Sequence, residues 1–153
     1  MKKRHPILFT KEGYEKIKTD KQRFILERKE AVVTLKESRE LGDLSENGLY
    51  KAARAKLSSI DNRIDRLDGL LKFGIIAGKP IIGEAGIGSR VQLSESSKIR
   101  EYYIVGDYEA NPLEGKISYT SPLGKEIVGK KAGDNITVTA PKGQISYKII
   151  KIS

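Results

Sequence analysis

The chain of 153 residues contains no cysteine. Disulfides and thiolate-held metal sites are therefore excluded, and a reducing cytoplasm is the expected compartment. Histidine is nearly absent as well. The single one, His5, lies in a basic tail beginning Met1-Lys2-Lys3-Arg4 and reads as surface, not as a catalytic base. That tail lacks a long apolar segment and a cleavage site, so no signal peptide is expected. No apolar run approaches the roughly 18 residues that a membrane span needs. There is no phosphate-binding Gly-Lys-Ser/Thr loop, no zinc-ligand spacing and no nucleophile elbow. These absences leave little from which to build a self-contained enzyme.

What the chain does have is charge. Charged residues make up 32% and hydrophobic residues 38%, a mixture that suits elongated helices plus a small domain better than one large core. The net charge is +9, with most of the excess in the N-terminal half. A basic helical surface attracts polyanions such as RNA or DNA through counterion release. It is equally the surface of a solvated, lysine-rich helix, because no basic run is long and acidic residues interleave it.

The N-terminal half carries two helical seams. The first runs Tyr14, Ile17, Lys21, Phe24, Arg28, Ala31, Leu35, Ser38, with alternating steps of three and four. Lys21, Arg28 and Ser38 interrupt its apolar character. The second runs Ala53, Leu57, Ile60, Ile64, Leu67, Leu71. Thr10 is placed to cap the first helix, and Gly42 is a natural exit from it. Each helix spans about 26 residues, or roughly 40 Å at 1.5 Å per residue. The short connection forces them antiparallel, seam against seam.

A glycine-rich joint covers residues 74–89, after which the period changes. Arg90–Leu93, Glu101–Val105, Gly115–Tyr119, Asn135–Val138 and Ile145–Ile149 have the β-branched and aromatic content of strands. Ser121–Gly129 reads as a short helix with Ser121 as cap, Pro122 in the first position and Gly129 at the end. The expected fold class is α+β: an antiparallel coiled-coil hairpin over 1–78 and a mainly antiparallel sheet domain over 79–153.

Between the seams stands Glu40-Leu41-Gly42-Asp43-Leu44-Ser45-Glu46-Asn47. Asp43 and Glu46 have the spacing of a capping box, in which Asp43 accepts from the helix start and Glu46 reaches back. Ser45 is an alternative cap. The same two carboxylates, held at the end of a rod, form half of a cation site. Magnesium wants six oxygens and takes one or two carboxylates together with water and phosphate, so a partner must supply the rest. Two-metal phosphodiester chemistry uses such an arrangement. Arg39, Lys51, Arg54 and Lys56 lie near the same end, placed either for RNA phosphates or for ordinary pairing along the helices. Ser45 belongs to the same RNA-proximal group. Tyr50, one turn beyond Glu46, is placed to stack on a base or to pack at the tip.

Three spaced motifs resemble one family, the bacterial transcript-cleavage factors GreA and GreB. Thr10-Lys11-Glu12-Gly13-Tyr14-Glu15-Lys16-Ile17 resembles its opening helix, and Ser38–Asn47 its tip motif. Glu114-Gly115-Lys116-Ile117-Ser118, Ser121-Pro122-Leu123-Gly124-Lys125 and Gly129-Lys130-Lys131-Ala132-Gly133-Asp134 resemble its C-terminal signature, in the form closer to GreA. The resemblance implies a coiled coil followed by a small globular domain similar to FKBP-type prolyl isomerases. It implies RNA polymerase as partner, with docking through Ser121, Pro122 and Leu123 at the rim of the secondary channel. Asp43 and Glu46 would then share a magnesium ion with the polymerase at the 3′ end of backtracked nascent RNA. The chain would act as a monomeric, cytoplasmic activator of cleavage and not as an enzyme itself. A channel-binding inhibitor and a prolyl isomerase or chaperone are the competing readings. Two residues depart from the family pattern: Gly48 and Leu49 stand where alanine and an acidic residue are usual. Gly48 should loosen the following helix by up to about 1 kcal/mol relative to alanine.

Overall fold

The computed structural model describes residues 6–43 and 46–153; Ser45 and His5 lie outside the described residues. The chain forms two compact units. One is Tyr14–Gly74; the other joins the described residues up to Gly13 with Ile75–Ser153.

The first unit is the helical hairpin. Helix α1 spans Lys11–Glu40, about 45 Å long, and α2 spans Gly48–Phe73. Thr10 caps α1 as its position suggests: its Oγ1 accepts the Gly13 N–H at 3.0 Å. The two seams face each other. Ala31, Ala53 and Ile60 are buried, and Ile17, Phe24, Leu35, Leu57, Ile64, Leu67 and Leu71 are half-buried. Ser38 donates its hydroxyl to the Leu35 carbonyl of its own helix, and the two charged seam residues have partners on the opposite helix. Lys21 pairs with Asp68, and Arg28 Nε donates to Asp61 Oδ1 at 2.6 Å. These pairs are one heptad apart on each helix and run in opposite directions, as an antiparallel register demands. They are partly exposed, so each contributes at most about 1 kcal/mol and serves mainly to select the register. Among the described residues, no helix is long and apolar enough to cross a membrane.

The hairpin is closed by one side chain. Asn47 caps α2, its Oδ1 accepting the Tyr50 N–H at 3.0 Å. Its Nδ2 donates to the Ser38 carbonyl at 2.7 Å, which also accepts the Leu41 N–H at 3.3 Å where α1 ends. Gly42 provides the exit from α1 with φ +137°, a value L-side chains rarely adopt. The expected cap at Asp43 or Ser45 is thus displaced onto Asn47.

In the second unit, β3 (Arg90–Glu95), β4 (Lys98–Val105), β5 (Lys116–Ser118), β6 (Asn135–Ala140) and β7 (Gly143–Ile152) form a sheet in the order β5-β4-β3-β7-β6. The β3–β4 turn places Ser96 and Ser97 at positive φ, the geometry that matches strand twist in a tight hairpin. All pairings are antiparallel except β4 with β5, which is parallel. The chain between those two strands passes through 3-10 turns at Asp107–Glu109 and Pro112–Glu114 and so returns in the same direction. Helix α3 (Pro122–Ile127) is capped by Ser121, whose Oγ accepts the Gly124 N–H at 3.0 Å. The core comprises Val91, Leu93, Ile104, Ile127, Ile136 and Ile149, all at most 3% exposed.

Two short strands were not visible as strands in the sequence. β1 (Ile7–Phe9) and β2 (Gly74–Ile76) form a small two-stranded sheet. Each has three residues, too few to show a period. Beside it, Glu109 gathers donors from the start of α1. Its Oε2 accepts the Thr10 N–H at 2.8 Å and the Gly106 N–H at 3.2 Å, and its Oε1 accepts the Thr10 hydroxyl. Gly13 and Gly106 permit this approach. A Cβ on Gly13 would lie 1.9 Å from Glu109 Oε1, and one on Gly106 would lie 1.9 Å from the Leu8 carbonyl oxygen.

Glu109→Ala therefore leaves three donors without their acceptor and should lower stability by about 1–3 kcal/mol. Asn47→Ala should lower it by about 1–2 kcal/mol through loss of the cap. Urea unfolding followed by circular dichroism measures both; unchanged midpoints would contradict these assignments.

Candidate functional site

The loop between α1 and α2 exposes both acidic residues nominated from the sequence. Asp43 and Glu46 are solvent-exposed, and both precede the Asn47 cap. Neither belongs to the first turn of α2, which contains no acidic residue. The capping-box reading of the Asp43–Glu46 spacing is thereby corrected. The physical reason lies in Asn47: an amide offers an acceptor to α2 and a donor to α1 together, whereas an ionised carboxylate can only accept.

Leu41, Gly42, Asp43, Glu46, Asn47, Gly48 and Leu49 line one open groove at this end of the hairpin. Two acidic oxygen donors in an exposed groove match the chemistry of a hard cation such as magnesium. They do not complete its coordination. Among the described residues there is no group of three or more His, Cys, Asp or Glu side chains able to hold a metal. Two carboxylates alone fall short of a magnesium coordination shell.

The basic residues divide. Arg39 and Arg54 line a second groove with Tyr50, Leu35 and Leu57. The Arg39 guanidinium lies 5.7 Å from the centre of the Tyr50 ring and donates to its hydroxyl at 3.5 Å. That hydrogen bond is the largest cause of a lowered Tyr50 pKa, because it favours the phenolate; the positive charges of Arg39 and Arg54 act in the same direction. Lys51 is exposed outside this groove, and Lys56 is exposed too. Among the described residues, none of Arg39, Lys51 and Arg54 is ion-paired with a carboxylate, and all three are exposed to solvent.

Ser121, Pro122 and Leu123 belong to the other unit, at the start of α3. Ser121 is committed to capping, Pro122 is exposed and Leu123 packs against the core. The approach to α3 is tied down by Asp107, whose carboxylate accepts from both the Ser118 and Thr120 hydroxyls. The Thr120 N–H also donates to Ser118 Oγ at 3.0 Å. Sequence reasoning missed Asp107, because its partners lie across a strand pairing. It missed Asn47 for a different reason: the Asp-x-x-Glu pattern just before it offered a competing cap, although asparagine before a helical run is itself a strong signal.

Comparison with known proteins identifies the family. Residues 7–73 match the family described as transcription elongation factor, N-terminal, and residues 80–153 match transcription elongation factor GreA/GreB, C-terminal. A transcription elongation factor GreA from a Nitratiruptor species is 38% identical over 99% of this chain and 94% of its own length. One from Thermodesulfovibrio yellowstonii is 39% identical over 96% of each. The crystal structure of GreA factor homolog 1 of Thermus thermophilus is 31% identical, covering 97% of this chain and 99% of that one with a TM-score of 0.47. Matched in both units along nearly its whole length, this chain belongs to the GreA/GreB family of transcription elongation factors.

Proposed function

We propose that this protein binds RNA polymerase in the cytoplasm as a monomer and inserts its helical hairpin into the secondary channel. There Asp43 and Glu46 complete a magnesium site at the 3′ end of backtracked RNA. The observation that carries this reading is the exposed pair of carboxylates at the hairpin's loop, of the right chemistry for magnesium but too few to hold it alone. Magnesium, when bound, supplies an activated water and charge stabilisation for the leaving oxygen.

The chain's own residues have separable tasks. Asp43 and Glu46 would contribute oxygens to the shared ion and accept hydrogen bonds from the attacking water, orienting it toward the phosphorus. Asn47 keeps both carboxylates outside the helix by taking the cap itself. Arg39 and Arg54, with Lys51 beside them, would neutralise RNA phosphates near the loop. Hydrolysis then belongs to the polymerase: the phosphodiester opens, the 3′ fragment leaves, and a new 3′ hydroxyl remains. Exposed Pro122, on a segment held by Ser121 and Asp107, would dock the globular unit at the channel rim.

The test is purified RNA polymerase stalled in a backtracked complex, with magnesium, with and without this protein. The expected outcome is faster RNA cleavage with the protein present; an unchanged rate would reject the reading. Asp43→Asn and Glu46→Gln should each reduce stimulated cleavage by about a hundredfold, the scale of losing one group that stabilises developing charge. Their polymerase affinity should stay within about twofold. Pro122→Asp should weaken polymerase binding by about tenfold, or ~1.4 kcal/mol, measured by competition with a labelled wild-type protein. Equal affinity would remove that segment from the interface.

A further inference from the structure

We infer that the groove around Asp43 and Glu46 also seats a nucleobase, that of the displaced 3′ nucleotide, with Leu41 and Leu49 as its apolar walls. The inference rests on the function proposed above and adds the feature of the RNA that the loop contacts.

Leu41 is 69% exposed and Leu49 is 65% exposed. One exposed leucine needs no explanation. These two bracket the carboxylates in sequence and line the same groove. Between them, Gly42 and Gly48 line it without side chains. A Cβ built on either glycine meets no heavy atom within 4 Å, so the groove is open where the backbone is bare. A flat apolar face can lie against that backbone between two aliphatic walls.

The carboxylates select what that flat object is. A phosphodiester held at a shared cation carries its nucleoside within a few ångströms. Every base offers an apolar π-face, which matches the leucine walls. Two neighbouring groups are already committed. The Arg39 guanidinium sits over the Tyr50 ring, which engages Tyr50 at the tip and leaves the apolar contact to the leucines. The Asn47 amide is held in place by the Tyr50 N–H and the Ser38 carbonyl, so it is not free to turn toward a base edge. The contact is therefore apolar and indifferent to base identity.

The experiment combines the double substitution Leu41→Ser and Leu49→Ser with an abasic 3′ nucleotide in the backtracked RNA. Each RNA is referenced to its own cleavage without factor. On normal RNA the double variant should stimulate about tenfold less than wild type, and wild type should lose about the same on abasic RNA. The double variant on abasic RNA should lose nothing further. Because both leucines are exposed, its thermal melt should match wild type. A second readout does not depend on cleavage: 2-aminopurine at the RNA 3′ end should change emission on adding Asp43→Asn protein, and should not change when both leucines are also replaced.

Multiplicative losses on abasic RNA would overturn the inference and assign the leucines to the polymerase wall. Full activity of the double variant would overturn it outright, as would an emission change that persists without the leucines. Absence of any stimulation by wild type on normal RNA would instead remove the proposed function.

Discussion

The closure of the hairpin by Asn47 is the constraint on which the candidate site depends. A loop joining two antiparallel helices must satisfy carbonyls leaving the first helix and N–H groups opening the second. One amide side chain does part of both tasks, donating to Ser38 and accepting from Tyr50. Asp43 and Glu46 consequently lie outside the helix that follows them and stand exposed.

The hairpin's seam gains most of its stability from apolar packing, but its register is selected by polar intrusions. Lys21 with Asp68 and Arg28 with Asp61 match only when the helices are aligned as they are. A shift of one heptad would leave one such pair in place of two, Lys21 opposite Asp61 or Arg28 opposite Asp68. Register decides where the loop falls, so these weak surface pairs affect which residues reach the tip. At the start of α1, the corresponding device is Glu109. Three donors from Thr10 and Gly106 converge on its carboxylate, and two glycines allow the close approach. Gly13 and Gly106 are glycines because of what touches them, not because of their backbone angles.

The charge of the chain also has a place in this arrangement. The excess of lysine and arginine lies mostly in the N-terminal half, yet the loop itself presents carboxylates and leucines. Arg39 and Arg54 sit beside that loop with Tyr50, not on it. A polyanion drawn to the helices would thus meet a locally acidic end, which is productive only when a cation lies between the two. In the proposed function, this separation of roles suits assistance to an ion held by another molecule.

Much of the fold was legible because its periods are long. The heptad steps from Tyr14 to Ser38 and from Ala53 to Leu71 could bury apolar surface only as two antiparallel helices, and Ser121-Pro122 could open only a short helix at that point. The five strands of the main sheet were legible in kind, from β-branched and aromatic runs between turns. Asp43 and Glu46 were legible as a pair of acids between helices. Tertiary structure decided what no local pattern records: that three-residue β1 and β2 pair, that β5 runs parallel to β4, that Glu109 meets Thr10 ninety-nine residues away, and that Asn47 takes the cap. The physical reason is the range of the forces involved. Periodic burial and chain stiffness act between neighbours and are written along the sequence. The choice among competing hydrogen-bond acceptors is settled only when distant backbone and side-chain groups arrive at the same place.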